Sequence, residues 1–89
     1  VVLPNEVKSE TANFNFNIFP NPASDELNIL FSQPGNYEVK IFDVFGKEIF
    51  SKGLTTYDLR LTTSNFESGI YFVEVKSKNG IAVKELVVE

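Results

Sequence analysis

Four carboxylates sit beside turn residues, Asp25, Glu26, Asp43 and Asp58, and they are the only grouped candidates for acid–base chemistry in the chain. Two acids are enough for glycoside hydrolysis. Near strand ends, however, acids of this kind ordinarily face water, so a catalytic pair is not expected. The chain has no histidine and no cysteine. That removes Cys–His and Ser–His–Asp nucleophiles and the usual zinc sites. Asn21 and Asp25 could bind calcium together with backbone oxygens, but no dense Asp-x-Asp run supports such a site. The five glycines all read as turn residues and form no phosphate loop. Sugar platforms favour exposed tryptophan, and there is none. Phe42, Phe45 and Phe50 either form an outward aromatic patch or pack in a second sheet or at a turn, and packing is the preferred reading. No catalytic residue, cofactor or metal is therefore expected.

The totals point to a binding or structural module. Eighty-nine residues make one domain with one core. With no disulfide to help, stability must come from packing, and nine phenylalanines and three tyrosines are the obvious supply. The net charge is −4 and the eight basic residues are scattered. No basic stripe exists to neutralise phosphates, so no nucleic-acid partner is expected. No apolar run is long enough to span a membrane. The opening VVLPNEVKSETAN lacks the basic start and apolar core of a signal peptide. Without an initiator methionine, the chain reads as a piece of a longer protein.

Residues 1–13 are mostly polar and read as a linker from a preceding domain, with residues 14–89 as the folded domain. From Phe14 the pattern has period two: Phe14, Phe16 and Ile18 alternate with Asn15 and Asn17. Leu27, Ile29 and Phe31 alternate with Asn28, Leu30 and Ser32. After the QPGN turn, Tyr37, Val39 and Ile41 face one way and Glu38 and Lys40 the other. EIFSK, TYDLRL, IYFVEVKS and IAVKELVVE follow, with Tyr57, Leu59 and Leu61 expected on one face. SDELNILF has a cap and an acidic first turn suited to a helix, but its alternation and the following Pro-Gly fit a strand better. The sum is about seven short strands with turns about every eight to twelve residues, an all-β antiparallel sandwich.

Two registers compete for the last hairpin. A two-residue Asn79-Gly80 loop sets Glu74 opposite Glu85. A three-residue Lys78-Asn79-Gly80 loop sets Glu74 opposite Lys84 and Phe72 opposite Leu86, and cross-strand pairing favours it. The corner PNPASD, between the first two strands, is too rich in proline for a simple hairpin. Pro20 and Pro22 each fix φ and remove a donor, Asn21 can bond nearby backbone, and Ser24 or Asp25 can cap the exit.

The blocks FPNPASDELNI, VKIFDVFGKEI, SGIYFVEVKSKNG and VKELVV, in this order, resemble the type A C-terminal sorting domain of the type IX secretion system of Bacteroidetes-type bacteria. The resemblance spans Phe14 to Glu89. Its first motif falls on Pro20, Asn21, Pro22 and Ala23, followed by Leu27. The middle block falls on Asp43 and Gly46, the Gly-x-Tyr block on Gly69 and Tyr71, and the terminal block on Lys84, Leu86, Val87 and Val88. Phe19 stands where the family often has tyrosine, and KEL where a second lysine is frequent.

The resemblance implies an immunoglobulin-like antiparallel β-sandwich of about seven strands that serves as a non-catalytic address label without a cofactor. The cargo that precedes it would transit the periplasm and end at the cell surface or in the medium. The implied partners are the outer-membrane machinery, including a shuttle β-barrel protein, and a sortase-like surface protease. That protease would cut within the linker and either attach the cargo to lipopolysaccharide or release it. Two other classes fit a small sandwich: a fibronectin-like adhesive or carbohydrate-binding module, and a structural dimerisation module, with a weak homodimer left open. Gly69 is expected to serve a backbone shape, and Tyr71 to pack its ring and send its hydroxyl to a backbone group. The terminal KELVV could close the core or add its free edge to a partner's sheet.

Overall fold

The structure is a computed structural model that describes residues 15–78 and 80–89. Seven strands follow in order: β1 Phe16–Phe19, β2 Glu26–Phe31, β3 Tyr37–Asp43, β4 Glu48–Leu54, β5 Asp58–Thr62, β6 Gly69–Ser77 and β7 Gly80–Val88. They form a three-stranded sheet, β1-β2-β5, and a four-stranded sheet, β4-β3-β6-β7. Every ladder is antiparallel. The chain changes sheet between β2 and β3, β4 and β5, and β5 and β6, as expected for an immunoglobulin-like sandwich. The predicted boundary at residues 13 and 14 lies outside the described residues, as does the side chain of Phe14.

Alternation decides which face is buried. Leu27, Ile29 and Phe31 of β2 point inward, as do Tyr37, Val39 and Ile41 of β3 and Tyr71, Val73 and Val75 of β6. Leu86 and Val88 complete the four-stranded sheet's contribution. The segment that could have been a helix is β2. Aromatic packing is narrower than the composition implies. Phe31 stacks on Tyr37 with ring centroids 3.9 Å apart, and Phe16 tilts against Phe31, but the fully buried side chains are aliphatic apart from Thr63. Tyr57 is exposed and precedes β5, so only Leu59 and Leu61 carry the inward face there.

The last hairpin takes neither predicted register. Ser77 pairs with Gly80, Glu74 with Val83, Val73 with Lys84 and Tyr71 with Leu86. The favoured three-residue loop would have placed Leu86 opposite Phe72, on the outer face. The core needs Leu86 on the same face as Tyr71, and a one-residue slip would turn all of β7 inside out. Of the registers that keep Leu86 inside, the observed one also avoids setting Glu74 against Glu85. Asn79 lies outside the described residues.

Two tyrosine hydroxyls pin the crossings that enter the four-stranded sheet. At the start of β3 the Tyr37 hydroxyl donates to the Gln33 carbonyl at 2.7 Å. Near the start of β6 the Tyr71 hydroxyl donates to the Glu67 carbonyl, four residues back. The second is the tyrosine corner of immunoglobulin-like sandwiches, at its usual strand, and it matches the expectation for Tyr71.

Candidate functional site

The corner Pro20-Asn21-Pro22-Ala23 closes the outer edge of β7. An edge strand leaves every second residue's N–H and C=O unpaired. Asn21 meets two of these groups with one amide: its Nδ2 donates to the Glu85 carbonyl at 3.1 Å, and its Oδ1 accepts the Val87 N–H at 3.0 Å. The Ala23 N–H then donates to the Val87 carbonyl, and the Ala23 carbonyl accepts the Glu89 N–H, both at 2.8 Å. The asparagine side chain acts as a surrogate peptide group and Ala23 as a one-residue parallel strand against Val88. Ala23 has no exposed surface. Both prolines follow cis peptide bonds.

This geometry bears on two readings weighed from the sequence. The edge of β7 from Glu85 to Glu89 is occupied, so KELVV has no free edge there to add to another sheet. Both polar atoms of Asn21 are engaged with backbone, so it is not poised as a calcium ligand. No cluster of three metal-ligating side chains occurs among the described residues. At the exit of the corner it is the Asp25 backbone carbonyl that accepts the Thr63 N–H, at 2.8 Å.

Asp43 organises the β3–β4 turn. Its Oδ1 accepts the N–H groups of Phe45 and Lys47, both at 2.9 Å. Its backbone N–H donates to the Lys47 carbonyl and its carbonyl accepts the Gly46 N–H, both at 3.0 Å. Gly46 has φ +86°, and no heavy atom lies within 4 Å of where a Cβ would sit. Glycine is therefore required by the backbone conformation and not by lack of space. The turn displays Val44 and Phe45, the latter 90% exposed. Phe42 and Phe50 are half-buried. The register shift between Ile41 and Phe42 in the β3–β4 ladder marks where this tip leaves regular pairing. Packing, the preferred reading for these three phenylalanines, describes Phe42 and Phe50, whereas Phe45 stands out in solvent.

Gly69 begins β6 at φ +153°, again with open space where a Cβ would project. Tyr71 is buried, with its ring 5.4 Å from that of Phe66. Its hydroxyl pKa is raised, first by loss of solvent and then by the negative charges of Glu67 and Asp43. In the terminal block Leu86 and Val88 are buried and Val87 is half-buried. Lys84 is exposed, with its ammonium 5.6 Å from the Phe16 ring centroid.

Pairing brings these separate blocks into one band. Asp43 pairs with Tyr71, and Tyr71 with Leu86. Gly69 pairs with Val88, and Val88 bridges Ala23. Lys84 sits farther along β7, opposite Val73. The far end of the band opens into a groove of about 610 Å³ between the β3–β4 tip and the β5–β6 loop. The candidate acids are not gathered with it. Asp43 holds the turn, while Glu26 and Asp58 lie on the three-stranded sheet, paired with Thr62 and Leu30. Their rows are about 13 Å apart along the strands, beyond the separations used by glycosidase pairs.

The fold is a small seven-stranded immunoglobulin-like sandwich module with most of its motif residues gathered across one end. Residues 17–89 match the family model described as the secretion system C-terminal sorting domain, and the chain belongs to that family. It is a type IX secretion sorting domain, which directs an attached cargo outward across the outer membrane. An endo-acting ulvan lyase of Formosa agariphila is 32% identical over 63 residues, covering 70% of this chain and 12% of the lyase. The structure of PorZ, a bacterial surface component of the type IX secretion system of Porphyromonas gingivalis, shares the fold. It superposes with a TM-score of 0.70 at 22% identity, covering 92% of this chain and 12% of that one. The chain thus spans about an eighth of either protein's length.

Proposed function

We propose that this chain is the address label at the end of a larger exported protein and that it catalyses nothing itself. Residues 1–13 are the linker and 14–89 the folded signal. The cargo lies before the linker, and the lyase relative makes an attached enzyme the cargo class we favour. The protein transits the periplasm, and an outer-membrane machinery that includes a shuttle β-barrel protein receives the folded signal. A sortase-like surface protease then cuts in the linker, and the cargo is either joined to lipopolysaccharide or released.

The observation that carries the reading is the convergence of all four motif blocks on one band of the sandwich, despite their spread along the chain. A core could be closed at either end, whereas a surface to be recognised must be assembled in one place. Pro20, Asn21, Pro22, Ala23, Asp43, Gly46, Gly69, Tyr71, Lys84, Leu86, Val87 and Val88 are the residues we assign to that surface or its support. The test is to fuse the whole chain, Val1 to Glu89, behind a fluorescent protein exported to the periplasm of a type IX-competent host. Delivery to the surface or medium is expected. A folded fusion that stays in the periplasm would refute the reading.

A further inference from the structure

The β3–β4 tip has a property that its role as a turn does not require. Val44 and Phe45 are 56% and 90% exposed, yet the turn beneath them is fixed by the Asp43 carboxylate and two backbone bonds. A loop that only joined two strands would have no use for an aromatic ring in water. Held on a rigid turn, that ring loses little freedom on binding, which is the usual economy of an interface anchor.

The groove behind the tip is lined by Asp43, Lys47, Phe66, Glu67, Ile70 and Tyr71, among others. Its lining carries two carboxylates and one ammonium, so it is net negative. Burial raises the pKa of the Tyr71 hydroxyl first, and the charges of Glu67 and Asp43 raise it further, so both carboxylates are felt at the groove wall. Ile70 adds a third exposed apolar side chain beside Val44 and Phe45. An apolar projection beside a negative hollow complements an apolar pocket rimmed by cations. A second copy of this chain would set the same carboxylates against themselves and add another −4 of net charge. An anionic lipid surface would be repelled in the same way.

We propose that this tip and groove form the docking surface for a protein partner that seats Phe45 in an apolar pocket and offers a lysine or arginine to Glu67 and Asp43. This rests on the sorting-domain reading and names the chemistry of the partner that reads it. Glu67 matters through its charge, while its backbone carbonyl independently holds Tyr71. The side chains of Phe45 and Glu67 are both exposed, so their replacement leaves the core intact.

The experiment uses the same whole-chain fusion and measures the initial rate of delivery to the surface or medium. Phe45→Ser and Glu67→Lys are each expected to slow delivery about tenfold or more, the scale of an interface hot spot. Phe45→Trp should retain delivery, Glu67→Gln should fall between wild type and Glu67→Lys, and Tyr57→Ser, elsewhere on the surface, should change nothing. Melting temperatures of the purified chains should match wild type. Normal delivery of Phe45→Ser and Glu67→Lys would overturn the docking surface while leaving the sorting function standing. A wild-type fusion that is not delivered removes both. Light scattering and co-sedimentation with vesicles of phosphatidylethanolamine and anionic phosphatidylglycerol address the remaining occupants. A dimer, or vesicle binding, that Phe45→Ser abolishes would reassign the tip to self-association or lipid and overturn the proposal.

Discussion

Asn21 shows how one side chain can do the work of a strand. Its amide supplies one donor and one acceptor at the spacing of a peptide group, and β7 presents the complementary pair at Glu85 and Val87. The flanking prolines have no N–H to satisfy, so the corner can turn here without orphaned donors. Each exposed bond is worth about 0.5–1.5 kcal/mol net, and Asn21→Ala should destabilise the fold by about 1–2 kcal/mol in urea unfolding. Asn21→Asp keeps the acceptor for Val87 but loses the donor to Glu85, and should fall between. Tyr71 makes a different prediction, in pH. Its folded-state pKa is raised above the ordinary 10.0, so the folded protein holds that proton more tightly than the unfolded chain. The resulting stability is fully present below pH 10 and is lost as the pH rises through the folded value. Tyr71→Phe should be less stable at neutral pH by about 1 kcal/mol, for the lost bond to Glu67. It should also show a shallower loss of stability as the pH rises above 10. A parallel decline of both proteins in alkaline thermal melts would contradict this.

At the scale of elements, the end of β7 cannot be removed to ask only whether it is recognised. Leu86 and Val88 are buried, and Val87 and Glu89 anchor the corner. Losing two buried aliphatic side chains and the corner's partners exceeds the margin of a domain this size, since each large core truncation alone costs about 2–5 kcal/mol. Deleting residues 85–89 should therefore give a chain with no cooperative melting transition, measured by circular dichroism. The strands themselves were legible in the sequence because burial follows period two: β2 and β3 bury the side chains their alternation marks. The last hairpin was not legible, because local cross-strand pairs worth tenths of a kcal/mol compete with a register fixed by Leu86 facing the core. The partner of Asn21 was hidden for a related reason. It lies near the other end of the chain, and nothing local to PNPASD names it. Phe45 was ambiguous because a period-two pattern lapses at a turn, where the Asp43 bonds decide what is displayed.

For the whole molecule, the question is whether the motif band acts only by stabilising the fold or also as a surface. The residues of the band are largely structural: Ala23, Tyr71, Leu86 and Val88 are buried, and Asn21 closes an edge. Loss of export in a band variant could therefore reflect unfolding alone. A matched destabilisation far from the band separates the two. Val75 is fully buried and pairs with Val39 and Ala82, about 13 Å along the sheet from the row of Asp43 and Tyr71. Val75→Ala should cost about 1.5–3 kcal/mol by lost burial and cavity, at least as much as Asn21→Ala. If the band is read as a surface, Val75→Ala will be exported like wild type at temperatures where it remains folded. Asn21→Ala, with its corner released from β7, will be exported less at equal folded fraction. Export that tracks only the folded fraction in both variants would make the band a support, and would leave recognition to the exposed tip at Phe45 and its groove.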